Sequence, residues 1–95
     1  MDSNSQLGAW LRDQRRSHGW DQRNMAIQLI RAAEANGDQA MPGLASLQHN
    51  VYRWEAGSHE PSERYKLHYC RAFGIAYRRF GMADKQPERI EARSI

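Results

Sequence analysis

The chain of 95 residues has a single cysteine, Cys70, a single valine, Val51, and no threonine. One cysteine excludes an intramolecular disulfide and any zinc site built from several thiolates. No stretch shows sustained alternation of β-branched and polar residues, so there is little from which to build a sheet. Long apolar runs are also missing. The longest are three residues, such as Ala9-Trp10-Leu11 and Ile75-Ala76-Tyr77. A transmembrane helix needs about 20 and a signal-peptide core about 7, so neither is expected. The sequence also lacks a glycine-rich phosphate loop and a nucleophile elbow. His59, His68 and Cys70 do not follow a zinc spacing, and His68 and Cys70, two apart on a helix, point in different directions. They read as a structural cysteine and two surface histidines. No metal, no cofactor and no enzyme activity are expected.

Apolar residues make up 40% of the chain, enough for one small core and one domain. Fourteen Lys and Arg against 11 Asp and Glu give a net charge of +3. This balance permits a nucleic-acid partner without requiring one. Twelve of the 14 basic residues are arginine, which suits bidentate contacts to phosphate and guanine. A free thiol in a small domain without disulfides points to a reducing cytoplasm.

The apolar spacing is helical throughout, predicting an all-α fold. A first helix runs from about Gln6 to His18, with Ser3 and Gln6 as a capping box and Gly19 as its stop. Leu7, Leu11 and His18 share one face, with Trp10 at its edge. Asp21 caps a second helix, and Trp20 and Met25 have the spacing of a hydrophobic staple. Met25, Ala26, Leu29, Ile30 and Ala33 form its buried stripe, and Asn36-Gly37 ends it. Asp38 to Ala45 is a loop.

A third helix covers about residues 46–56. At 100° per residue Leu47, Val51 and Trp54 fall within about 60° of one another. Gln48, His49, Tyr52 and Arg53 take the opposite side, so a dry face backs a face of hydrogen-bonding side chains. Ser62 caps a fourth helix with apolar positions Leu67, Tyr69, Cys70 and Phe73, ended by Gly74. A short fifth helix covers about Tyr77 to Phe80. Trp10, Trp20, Trp54, Phe73 and Phe80 read as core. Residues 81–95 form a polar tail, expected to be mobile, in which three acids balance three bases.

Taken in order, several segments resemble a known family. They are Leu11-Arg12-Asp13-Gln14-Arg15-Arg16-Ser17-His18-Gly19-Trp20, Asp21-Gln22-Arg23-Asn24-Met25-Ala26 and Val51-Tyr52-Arg53-Trp54-Glu55-Ala56-Gly57, then Pro61-Ser62 and Phe73-Gly74-Ile75. The pattern is similar to the five-helix, helix-turn-helix DNA-binding domain of phage Cro and repressor proteins, the XRE family. It covers about residues 6–80, so residues 1–80 are expected to form the DNA-binding domain. In one respect the chain departs from the family: motif helices are usually joined by about 3–4 residues, whereas here the stripe of the second helix continues to Ala33 and a Gly/Pro loop follows before Ser46, an insertion of about a dozen or more residues in all.

The resemblance implies a transcriptional regulator that places the third helix in the major groove of double-stranded DNA. Gln48 and His49 then stand where base-reading residues stand, with Tyr52 and Arg53 one turn further along. Gln22, at the start of the second helix, would hold a phosphate with the helix N-terminus. Arg23, Arg12 and Arg16 would add phosphate contacts. The resemblance also implies a partly buried ion pair between Arg15 and Glu55. It implies two copies on a palindromic site as well, half-sites about 34 Å apart. Tyr77 and Met82 are the spare apolar groups for self-association, a small patch that suits a weak or DNA-induced dimer. A protein-interaction module on the same fold is the alternative, with the 37–45 loop or the tail as its contact surface. Either way the expected location is the cytoplasm, on the nucleoid for a DNA binder.

Overall fold

A computed structural model describes residues 3–82. The residues assigned to the tail from position 83 onward lie outside the described part. The described chain is all-helical: α1 (Ser3–Ser17), α2 (Gln22–Ala35), α3 (Leu44–Glu55), α4 (Glu63–Phe73) and a 3-10 turn at Tyr77–Arg79. No strand occurs among the described residues. None of these helices is long and apolar enough to cross a membrane.

The helix ends follow local chemistry. Asp21 Oδ1 accepts the backbone N–H of Asn24 at 2.8 Å, capping α2. Gly19, Gly37 and Gly74 close α1, α2 and α4 with φ of 76°, 78° and 75°, a left-handed conformation that only glycine adopts without strain.

Two starts differ from expectation. Ser3 is already helical, so it does not cap a helix beginning at Gln6. The first turn of α1 has tertiary support, because the backbone of Ser5 lies against Gly57 in the turn after α3. Likewise α3 begins at Leu44 rather than near Ser46, with Gly43 at the cap position. Leu44 packs on the core, and its burial extends the helix by half a turn. Ser62 stands at the cap of α4 without making a side-chain cap bond.

Leu11, Met25, Leu29, Leu47, Val51 and Tyr69 are fully buried, and Trp54 and Phe73 join them. Leu29 and Val51 bring α2 and α3 into the same core despite the long connection. Trp10, Trp20 and Phe80 are half-buried against this core, with Trp10 edge-on to Phe73 and Phe80 at 6.0 and 5.1 Å. At Gly8, α1 meets the end of α3 so closely that an added Cβ would lie 2.4 Å from the carbonyl oxygen of Glu55.

In α4 the expectation fails at two neighbouring positions. Leu67 is exposed, and His68, read as a surface residue, is only 3% exposed. The register of α4 is set by Tyr69 and Phe73, which places His68 inside and Leu67 outside. A buried imidazole needs a partner, and the long connection supplies it in Asp38.

Candidate nucleic-acid interface

The exposed side of α3 carries Gln48, His49 and Tyr52, because Leu47, Val51 and Trp54 are held in the core on the other side. Tyr52 is 56% exposed. Its ring lies nearly parallel to that of His49, with centroids 6.4 Å apart. Gln22, Ala45, Gln48, His49 and Tyr52 line one shallow concavity of about 300 Å³. A second, of about 250 Å³, shares Gln22 and Tyr52 and runs on to Arg12, Arg15, Arg16 and Glu55. One continuous surface therefore leads from the arginines of α1, past the N-terminus of α2, to the start of α3.

This surface has a rigid base. Arg15 and Glu55 are both buried and form a two-point ion pair, Nε to Oε2 at 2.7 Å and Nη2 to Oε1 at 2.9 Å. Arg15 Nη1 also donates to the Trp20 carbonyl at 2.9 Å. Gln22 Nε2 donates to Glu55 Oε1 at 3.1 Å. Glu55 thus ties together α1, the start of α2 and the end of α3. The hydrogen bond to its carboxylate raises the Arg15 pKa, so the guanidinium stays charged. The family resemblance supplied the two charged residues, whereas the Gln22 contact was not anticipated.

Arg12 is half-buried, and its Nε is enclosed without a hydrogen-bond partner. Arg16 and Arg23 are exposed. Arg53 stands apart from Gln48 and His49: its Nη2 lies 2.8 and 3.2 Å from the two ring nitrogens of His59. Both line a third concavity, of about 270 Å³, with Asn50, Trp54, Ser62 and Tyr65.

The long connection between α2 and α3 is clamped at its beginning. Asp38 Oδ2 accepts from Arg64 Nε at 2.6 Å and from His68 Nε2 at 2.8 Å. Its Oδ1 accepts from Arg64 Nη2 and from the backbone of Ala40, both at 3.0 Å. Arg64, foremost, and then His68 hold the Asp38 carboxyl well below the usual carboxylate range. Met41 packs on the core, so this segment is anchored at two points. Pairing Asp38 with residues 26 and 30 positions away left no local signal in the sequence.

Cys70 is buried, and burial pushes its thiol pKa up, which makes it a poor nucleophile. Among the described residues no group of three His, Cys, Asp or Glu is arranged to hold a metal. The chain matches no protein-family model, no curated protein and no solved structure.

Proposed function

We propose that the protein is a sequence-specific regulator that binds double-stranded DNA, using a repressor-like helix-turn-helix arrangement with α3 in the major groove. The observation that carries this reading is the continuous surface from Arg12 and Arg16 through Gln22 to Gln48, His49 and Tyr52. It combines charge for phosphates with hydrogen-bonding side chains near the start of an exposed helix, the two components of duplex recognition. Gln22 and Arg23 open α2, whose first-turn N–H groups and dipole favour an anion. Arg12, Arg16 and Arg23 hold the flanking phosphates, and Arg53 is one turn further along the same helix. The mechanism is occupancy: the bound protein blocks or recruits the transcription machinery, with no catalytic step and no cofactor. It acts in the cytoplasm, on the nucleoid.

A single such helix reads only a few base pairs, so two copies meet on a palindromic site. Leu67, Tyr77 and Met82 are exposed apolar groups on α4 and the segment after it. A patch this small supports weak association that DNA strengthens. The test is electrophoretic mobility shift with genomic fragments at low and moderate salt. Specific complexes that survive competitor DNA, with affinity falling steeply with salt, support the reading. No retained fragment at low salt removes it.

A second reading, a protein-interaction module, draws on a concavity of about 310 Å³ between α2 and the long connection. Ile30, Met41 and Pro42 give it apolar walls, and Glu34 adds an acid. In that case the occupant is a protein segment, and α3 makes no base contact.

A further inference from the structure

Resting on the DNA-binding reading, we infer that the α3 surface selects A·T base pairs, Gln48 pairing with adenine while Ala45 and the Tyr52 ring cover the C5-methyl of thymine.

Base edges in the major groove divide the work by chemistry. Guanine is read chiefly by arginine or lysine, adenine by glutamine or asparagine, and the thymine methyl by apolar groups. Arg53 is the only arginine on α3, and α3 has no lysine. Its guanidinium is held on His59, in a concavity with Trp54 and Tyr65 rather than with Gln48. It is also a full turn beyond His49, whereas residues near the start of a reading helix reach the bases. Arg12 and Arg16 are on α1, outside the motif pair, and Arg23 opens α2, the motif helix that in this docking crosses the phosphate backbone; none of them lines the concavity at the start of α3.

With the guanidiniums set aside, the concavity at the start of α3 holds Gln22, Ala45, Gln48, His49 and Tyr52. Gln22 is engaged by Glu55, leaving Gln48 as the amide with no fixed partner in the fold. An amide offers the donor and acceptor that adenine N7 and N6 require together. The two ring nitrogens of His49 point apart, so the imidazole cannot aim two donors at one base edge, the contact that guanine favours. What remains is apolar: the methyl of Ala45, which is exposed, and the face of Tyr52 stacked beside His49. In the major groove the apolar feature to meet them is the thymine methyl.

The experiment replaces thymine by uracil, which removes that methyl and leaves every hydrogen-bonding group. A duplex retained from genomic DNA is resynthesised with single uracils through each half-site, and its affinity is measured by fluorescence anisotropy. At one or two positions uracil should weaken binding about fourfold, the effect of one buried methyl-sized group. With Tyr52→Ala, whose side chain is outside the core, the preference for thymine over uracil at those positions should shrink to what Ala45 alone supplies. Circular dichroism checks that the variant is folded. Equal affinity for all thymine and uracil duplexes would overturn the inference while leaving DNA binding intact. So would retained sites rich in G·C whose binding depends on Arg53. If no duplex is retained at all, the DNA-binding reading fails first and takes the inference with it.

Discussion

Removing the Glu55 carboxylate tests the joint beneath the proposed reading surface. Glu55→Ala leaves Arg15, 8% exposed, with a buried positive charge whose remaining acceptor is the Trp20 carbonyl. It also strips Gln22 Nε2 of its acceptor. Breaking a buried pair from one side costs about 3–5 kcal/mol. The surviving Trp20 bond argues for the lower end, about 3 kcal/mol. Against a total stability of about 5–15 kcal/mol, that is a large share. For a domain this size it corresponds to a fall in melting temperature of about 12–24 °C. Replacing both partners, Arg15→Met with Glu55→Leu, removes the charges together and should recover much of the loss, because the desolvation of the pair offsets most of its attraction. Thermal denaturation of the two single variants and the double gives the coupling energy. A coupling below about 0.5 kcal/mol would refute the reasoning, since contacting buried partners should exceed that. The double variant also separates stability from function. Stable again but lacking the tie from α1 to α2 and α3, it should bind the preferred duplex more weakly than the parent.

Three further outcomes are expected. Gly8→Ala should destabilise by about 1–3 kcal/mol despite the better helix propensity of alanine, because the new Cβ meets backbone oxygens of Glu55 and Trp54 at 2.4 and 2.8 Å; a neutral result in urea denaturation would place α1 further from α3. Asp38→Asn should lower the urea midpoint at pH 7. Because the folded-state pKa of Asp38 is depressed, its contribution is present above the unfolded value of about 3.9 and fades as the pH falls further, so the gap between variant and parent should persist down to about pH 4 and narrow below it. Cys70 should react slowly with a thiol reagent in the native protein and rapidly in denaturant, since burial holds it as the neutral thiol; equal rates would mean that α4 opens easily.

What the sequence disclosed and what it concealed divide along physical lines. The dry stripe of α3 was legible because Leu47, Val51 and Trp54 repeat with the helical period, and the opposite face followed from the same phase. Asp21 and Asn36-Gly37 marked the ends of α2 through cap chemistry that acts within a few residues. The Asp38 clamp was not legible, because it joins the end of α2 to α4 and requires knowing that those helices are neighbours. His68 was misplaced for the same reason: an imidazole is assigned to the surface until the half-buried carboxylate of Asp38 is known to meet it. Leu67 was the more apolar choice, but side-chain type did not decide the register that Tyr69 and Phe73 impose. Gly8 did leave a signal. A glycine inside an otherwise helical pattern costs about 1 kcal/mol relative to alanine and marks a close backbone approach, here to Glu55. Arg53 was grouped with the base-reading residues by helical phase and by the family resemblance, neither of which shows its hold on His59, because that depends on how the turn after α3 folds back.

The proposal that α3 reads bases is tested most directly by comparing Gln48→Ala with the parent on two duplexes, the preferred site and a random sequence of equal length. Gln48 is on the outer side of α3, so the substitution spares the core. A side chain that pairs with a base edge should cost about 1–3 kcal/mol on the preferred site and almost nothing on the random duplex. Equal losses on both, or no loss on either, would contradict base reading by this helix.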